Sequence, residues 1–240
     1  MLTKGLGVVA GSKRLFQVGV LILAVVLGIL VQADRLDAFV VLLVLSLSLV
    51  VLSVLAAYLY HPAALVLRPE PPAFATATNL APVFMAAAFT ILAGVMVGEG
   101  VSDIVDGEPP RALNVVMIGF WVLVVGLHLY LSWGSFGVRL RPEGVYNRQP
   151  LGSLFVPWEA FAPGCPAVPV KGNGLALYYQ RPGLVRRRGL PVGANSLLTG
   201  TDATYLAHVI QQYVSSPEHR PAIGTEAELR RVVATAILDM

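Results

Sequence analysis

The stretch SWGSFGVRLRPEGVYNRQ, residues 132–149, decides how the chain is divided. Before it the sequence is almost continuously apolar. After it, arginines alternate with valine and leucine. Val138, Arg139, Leu140 and Arg141 carry the two-residue period of a half-buried strand. Pro142 and Gly144 break that period with turn chemistry, and residues 145–148 resume it. The segment 137–148 therefore predicts a β-hairpin that starts a few residues after Trp133.

On the N-terminal side the composition is that of a membrane protein. The 240 residues are 56% hydrophobic and 13% charged, where soluble domains carry about 25% charged residues. Four apolar runs, 15–31, 38–60, 82–98 and 112–133, contain no Asp, Glu, Lys or Arg. Each reaches the length a helix needs to cross a bilayer, and in lipid each must be helical to satisfy its backbone. Trp121, Tyr130, Trp133, Tyr58 and Tyr60 fit interfacial aromatic belts. Within the runs, Ser46, Ser48, Ser53 and Thr90 are expected to bond back to helix carbonyls. Gly94 and Gly98 form a small-xxx-small pair expected at a helix–helix contact.

Charge sets the expected orientation. Residues 1–133 hold 6 Lys/Arg and 7 Asp/Glu, and residues 134–240 hold 11 Lys/Arg and 7 Asp/Glu. With both termini cytoplasmic, 15 of the 17 basic residues lie inside, as the positive-inside rule requires. The acidic loop with Glu99, Asp103, Asp106 and Glu108 then faces outward. The loop 60–82 faces inward, and its prolines predict extended or polyproline-like chain. A rival reading treats Lys13, Arg14, the first run and 31–33 as a signal peptide with its cleavage site.

Beyond 149, short strands continue between Gly- and Pro-rich turns, six or seven in all, which suggests a small antiparallel barrel or sandwich. A helix follows from Thr201 or Asp202, with Leu206, Val209, Ile210, Tyr213 and Val214 on one face. Thr225 and Glu228 then mark a capping box. It opens a second helix with a stripe of Leu229, Val232, Val233, Ala236 and Ile237, expected to dock on protein.

Leu140-x-Pro142-x-Gly144-Val145, Val156-Pro157-Trp158-Glu159 and the helix positions Asp202, Leu206, Ile210 and Tyr213 carry a resemblance. With the tail 217–231, they resemble bacterial pleckstrin-homology-like (PH-like) domains attached to actinobacterial integral membrane proteins of uncharacterised function. That resemblance implies a PH-like barrel plus helix and no catalytic residues. The expected organisation is α+β: a four-helix transmembrane bundle over 1–133, a cytoplasmic PH-like antiparallel barrel or sheet capped by a helix over 134–216, and a tail with an amphipathic helix over 217–240. The chain would reside in the inner (plasma) membrane as a multi-pass protein.

Catalytic motifs are sparse. There is no phosphate-binding G-x-x-x-x-G-K-[ST], no G-x-G-x-x-G, no H-E-x-x-H and no G-x-S-x-G. The histidines at 61, 128, 208 and 219 are scattered, and the lone Cys165 reads as a small loop residue that allows no internal disulfide. No enzyme, cofactor or metal is implied. The residues with chemistry to offer are Arg186, Arg187 and Arg188, with Arg181 and Arg148 and further help from Arg139 and Arg141. Near an anionic leaflet they would bind lipid headgroups or an acidic partner. In a strand, Arg186 and Arg188 share one face and Arg187 takes the other. The bland reading is a solvated edge strand whose charges deter aggregation. Nucleic acid is disfavoured by the modest charge of this half.

The leading expectation is a non-enzymatic membrane-anchored module that binds membrane lipids or a membrane or cytoplasmic protein. The alternative is a small transporter or channel subunit working through His128, the ionisable imidazole inside a span. No acidic relay or pair of discontinuous helices accompanies it.

Overall fold

In the computed structural model, which describes residues 12–32, 38–68, 70–105, 112–171, 173–190 and 195–238, the four apolar runs are helices. They are α1 (Lys13–Gln32), α2 (Ala38–Leu59), α3 (Ala81–Val105) and α4 (Ala112–Trp133). Helix α3 continues well past the expected end at 98. Gly98 and Gly100 do not stop it, and the next strong breaker is the Gly-Glu-Pro-Pro of 107–110. The N-terminal tail, the cleavage position at 33, the loop 33–37, residues 106–111 and the side chains of Gly98, Glu99 and Asp103 lie outside what is described.

These helices form one compact unit with α3 at its centre, packed against α1, α2 and α4. Val20, Ala24, Leu42, Ala87 and Ile91 make one buried cluster, and Ala56, Leu80, Val83 and Phe84 make another. Gly94 permits a close approach: a Cβ there would lie 2.9 Å from the Ala24 carbonyl oxygen of α1. Ser48 and Thr90 donate to carbonyls one turn back, as expected, whereas Ser53 donates to Ala81 O at 2.8 Å and ties α2 to α3. Two of the helices, over Val40–Leu59 and Ala112–Trp133, are long and apolar enough to cross a membrane.

The second unit is built from 61–78 and 135–240. Its strands are β1 (Leu65–Arg68), β2 (Ala73–Thr76), β3 (Gly137–Arg141), β4 (Gly144–Gln149), β5 (Gly152–Pro157), β6 (Ala167–Val170), β7 (Gly174–Leu177), β8 (Arg186–Gly189) and β9 (Ser196–Leu198). All pairings are antiparallel. One sheet has the order β1-β2-β3-β4-β5-β8 and the other β6-β7-β9.

The hairpin predicted from residues 137–148 is β3–β4, with Leu140 opposite Val145. The loop 60–82 departs from expectation. Pro71 and Pro72 occupy the turn, and LVLR and AFAT on either side pair as β1 and β2. Strand β2 then pairs with β3, Phe74 opposite Leu140. The sheet unit is thus discontinuous in sequence and begins at 61, not 134. The expected PH-like barrel also does not close. The free edge of β5 is taken by β8, and β6 goes to the other sheet. The Pro-rich chain after β5 passes through the 3-10 turn Trp158–Ala160, leaving one isolated bridge, Phe161 to Tyr179, in that region.

Helix α5 (Ala203–Ser215) supplies the cover that strand closure does not. Asp202 caps it by accepting the Tyr205 N–H at 2.8 Å. Leu206, Val209, Ile210 and Tyr213 are fully buried with Phe74, Leu140, Val156, Trp158, Leu175 and Leu197 in one core. Helix α6 (Glu226–Leu238) packs on α5 and β1 through buried Val232, so it docks on protein.

Candidate functional site

The register of the six-stranded sheet sorts its side chains onto two faces. Val138, Leu140, Val145, Leu154, Val156 and Phe74 point to the core and are buried. The opposite face carries Arg68 on β1, Arg139 and Arg141 on β3, Arg148 on β4, and Arg186 and Arg188 on β8. Val66, Tyr146, Phe155 and Ser153 lie among them. No Asp or Glu occupies an outward position on these strands. None of the ion pairs among the described residues uses one of the six arginines.

The geometry spreads the guanidiniums over the face. Arg148 and Arg188 flank Ser153 on either side, and Arg186 stands opposite Phe155. Arg141 lies over the Tyr146 ring, 4.8 Å from its centroid, and Arg148 is 5.9 Å from the Phe136 centroid. Arg141 Nε is buried without a hydrogen-bond partner, and Arg139 donates to Ser135 O at 3.1 Å. Burial, then the like charges of Arg141, Arg68 and Arg148, push the Arg139 pKa down; guanidinium basicity is high enough for it to stay charged. This face repels itself and attracts anions.

Of the residues named from sequence, Arg148, Arg186 and Arg188 come together on this face. Arg187 does not. It stands opposite Leu154 on the core side at the sheet margin, where its charge partly opposes the upward push that burial gives the Tyr179 hydroxyl. Arg181 lies outside the strands, before the 3-10 turn Pro182–Leu184. Arg68 was missed. Its signal was present: two four-residue runs of apolar and small residues flank a proline turn, but they sit between two spans where a connector was expected.

His128 accounts for itself locally. Its Nδ1 lies 2.8 Å from Val124 O one turn back, and its ring packs on Phe89 at 4.3 Å. A polar cluster that sequence reading passed over ties α1 to α4: Lys13 Nζ donates to Ser132 O at 2.9 Å, and buried Gln17 donates to the Ser132 hydroxyl. A further buried network joins α5 and α6. Tyr213 donates to Glu228 Oε1 at 3.0 Å, and Arg231 donates to both Glu228 oxygens. The capping box is therefore half made. Thr225 Oγ1 accepts the Glu228 N–H at 3.3 Å, but the Glu228 carboxylate turns inward to Tyr213. Among the described residues, no three His, Cys, Asp or Glu side chains gather as a metal site. Compared with protein-family models, curated proteins and solved structures, the chain matches none.

Proposed function

We propose that this protein is a non-enzymatic, membrane-anchored module whose arginine-rich sheet face binds the anionic surface of the membrane that holds it. The observation that carries this reading is the outer face itself: six arginines from four strands, interleaved with Tyr146 and Phe155 and without a carboxylate. Arginines near an anionic leaflet contribute about 1 kcal/mol each, so six acting together give useful affinity even after partial screening. The anchor is the four-helix unit, read as four spans with both termini cytoplasmic. The two membrane-length helices and the placement of basic residues support it. Connections 60–64, 77–80 and 134–136 are short. The antiparallel strands capped by α5 support a PH-like relationship.

Full-length protein in nanodiscs tests this directly. Phenylglyoxal labelling with peptide mass spectrometry reads each arginine. Arg68, Arg139, Arg141, Arg148, Arg186 and Arg188 should be protected in discs containing phosphatidylglycerol and not in pure phosphatidylcholine, while Arg181 labels alike in both. Equal labelling of all arginines in both discs sinks the reading.

A further inference from the structure

Resting on that reading, we propose that one end of the six-stranded sheet is a membrane-insertion rim: Leu151 and Leu190 enter the interfacial layer of an anionic bilayer, and Arg148 and Arg188 beside them hold its phosphates. Strand register defines this end. Leu65 at the start of β1 pairs with Thr76 at the end of β2, and Ala75 pairs with Arg139, so the start of β3 lies beside the end of β2. Gly137 pairs with Arg148, Gln149 with Gly152, and Gly152 with Gly189. The three connections toward the helices therefore join the sheet at the same end that carries the β4–β5 turn and the close of β8.

The residues at this end suit that layer. Leu151 is 69% and Leu190 74% exposed, and the Leu190 N–H donates to Leu151 O at 3.0 Å. Lone exposed leucines are ordinary. Two held side by side between arginines are the composition of an interfacial element, with apolar tips and guanidiniums at headgroup level. The backbone is built to hold them there. Leu151-Gly152 and Gly189-Leu190 mirror each other across the pairing. Gly189 has φ +71°, and a Cβ on it would fall 2.2 Å from Leu151 O. A Cβ on Gly152 would fall 2.5 Å from Arg188 O. Both glycines are required for the approach that sets the two leucines together.

The test uses full-length protein with Cys165→Ser, since Cys165 is an exposed free thiol. Single cysteines replace Leu151, Leu190 or Leu198; the last is equally exposed but lies on the other sheet. Each is labelled with bimane in nanodiscs of phosphatidylcholine and phosphatidylglycerol with brominated acyl chains. The labels at 151 and 190 should be quenched and the label at 198 should not. Equal quenching at all three positions, or none at 151 and 190, overturns the rim. Phenylglyoxal protection in the same discs separates the two ideas. Protected arginines with unquenched leucine positions remove the rim alone; loss of both removes the underlying reading as well. Trypsin cleavage after Arg188 gives a label-free check: it should be slowed in anionic discs and restored by Leu151→Ser with Leu190→Ser, and unchanged cleavage counts against the rim.

Discussion

The buried Thr201 hydroxyl accepts the Ala77 N–H at 2.9 Å and, from the same oxygen, donates to Ala64 O at 3.0 Å. One side chain thus closes both ends of the β1–β2 hairpin onto the segment that starts α5. Next to it, the Asp202 N–H donates to Pro62 O at 3.3 Å, and Asn173 Nδ2 donates to both Thr199 O and Thr201 O at 2.8 Å.

Thr201→Val keeps the shape and leaves the Ala77 N–H and Ala64 O without that partner. The expected cost is about 1–3 kcal/mol. Hydrogen exchange of the amides in 65–76 should accelerate more than in β4 and β5, and Thr201→Ser should restore protection. Uniform acceleration over the whole sheet would show that Thr201 is not a specific latch.

A soluble fragment of residues 135–240 lacks β1 and β2. Phe74 leaves the core and β3 loses its neighbour. Burying a side chain of that size contributes roughly 1.5–3 kcal/mol, before the lost pairing and Leu65 are added. The fragment should bind the dye ANS and unfold without cooperativity. Joining 61–78 to it through a Gly-Ser linker should restore a cooperative thermal transition. A cooperative transition in the fragment alone would refute the domain as drawn.

Burial pushes the Glu228 carboxyl up, but the hydrogen bonds from Arg231 and Tyr213, with the charges of Arg231 and His219, outweigh it and hold the group below the ordinary glutamate value. A depressed folded pKa contributes stability above the unfolded value, about 4.3, and that contribution disappears as pH falls through the folded one. Wild type should therefore lose stability from about pH 5 downward, while Glu228→Gln, less stable at pH 7, should show a flatter acid limb. Parallel curves in urea melts across this window would contradict the assignment. Tyr213, pushed far up by burial and then by Glu228, stays a hydrogen-bond donor through the alkaline range.

Gly189→Ala places a Cβ in a left-handed backbone position against Leu151 O. The expected cost is of order 1–3 kcal/mol, with faster exchange of the Leu190 amide. Gly183→Ala, where a Cβ meets nothing within 4 Å, is the matched control and should be nearly silent.

Local sequence signals account for much of this molecule. Apolar runs without charge become helices because no other structure satisfies their backbone in lipid or in a packed bundle. Alternation around Pro142 and Gly144 becomes β3–β4, because only a two-residue period puts Val138, Leu140 and Val145 on one face. The α5 stripe and its Asp202 cap follow from the helical period in the same way. The arginine site was only partly legible. Parity within β8 separates Arg186 and Arg188 from Arg187, but nothing local says that Arg139, Arg141 and Arg148 share their side of the sheet, or that Arg181 does not.

By itself, then, the sequence determined the four apolar helices, the β3–β4 hairpin, the α5 stripe with its cap and the change of character after Trp133, since these depend on period and turn chemistry within a few residues. Tertiary structure alone decided that β1 and β2 leave the inter-helix loop to extend the C-terminal sheet, that the strands stay in two sheets under α5, and that Leu151 and Leu190 meet. Those outcomes rest on pairings between residues far apart in the chain, such as Phe74 with Leu140 and Gly152 with Gly189. Their free energy comes from shared burial and backbone closure that no single segment contains.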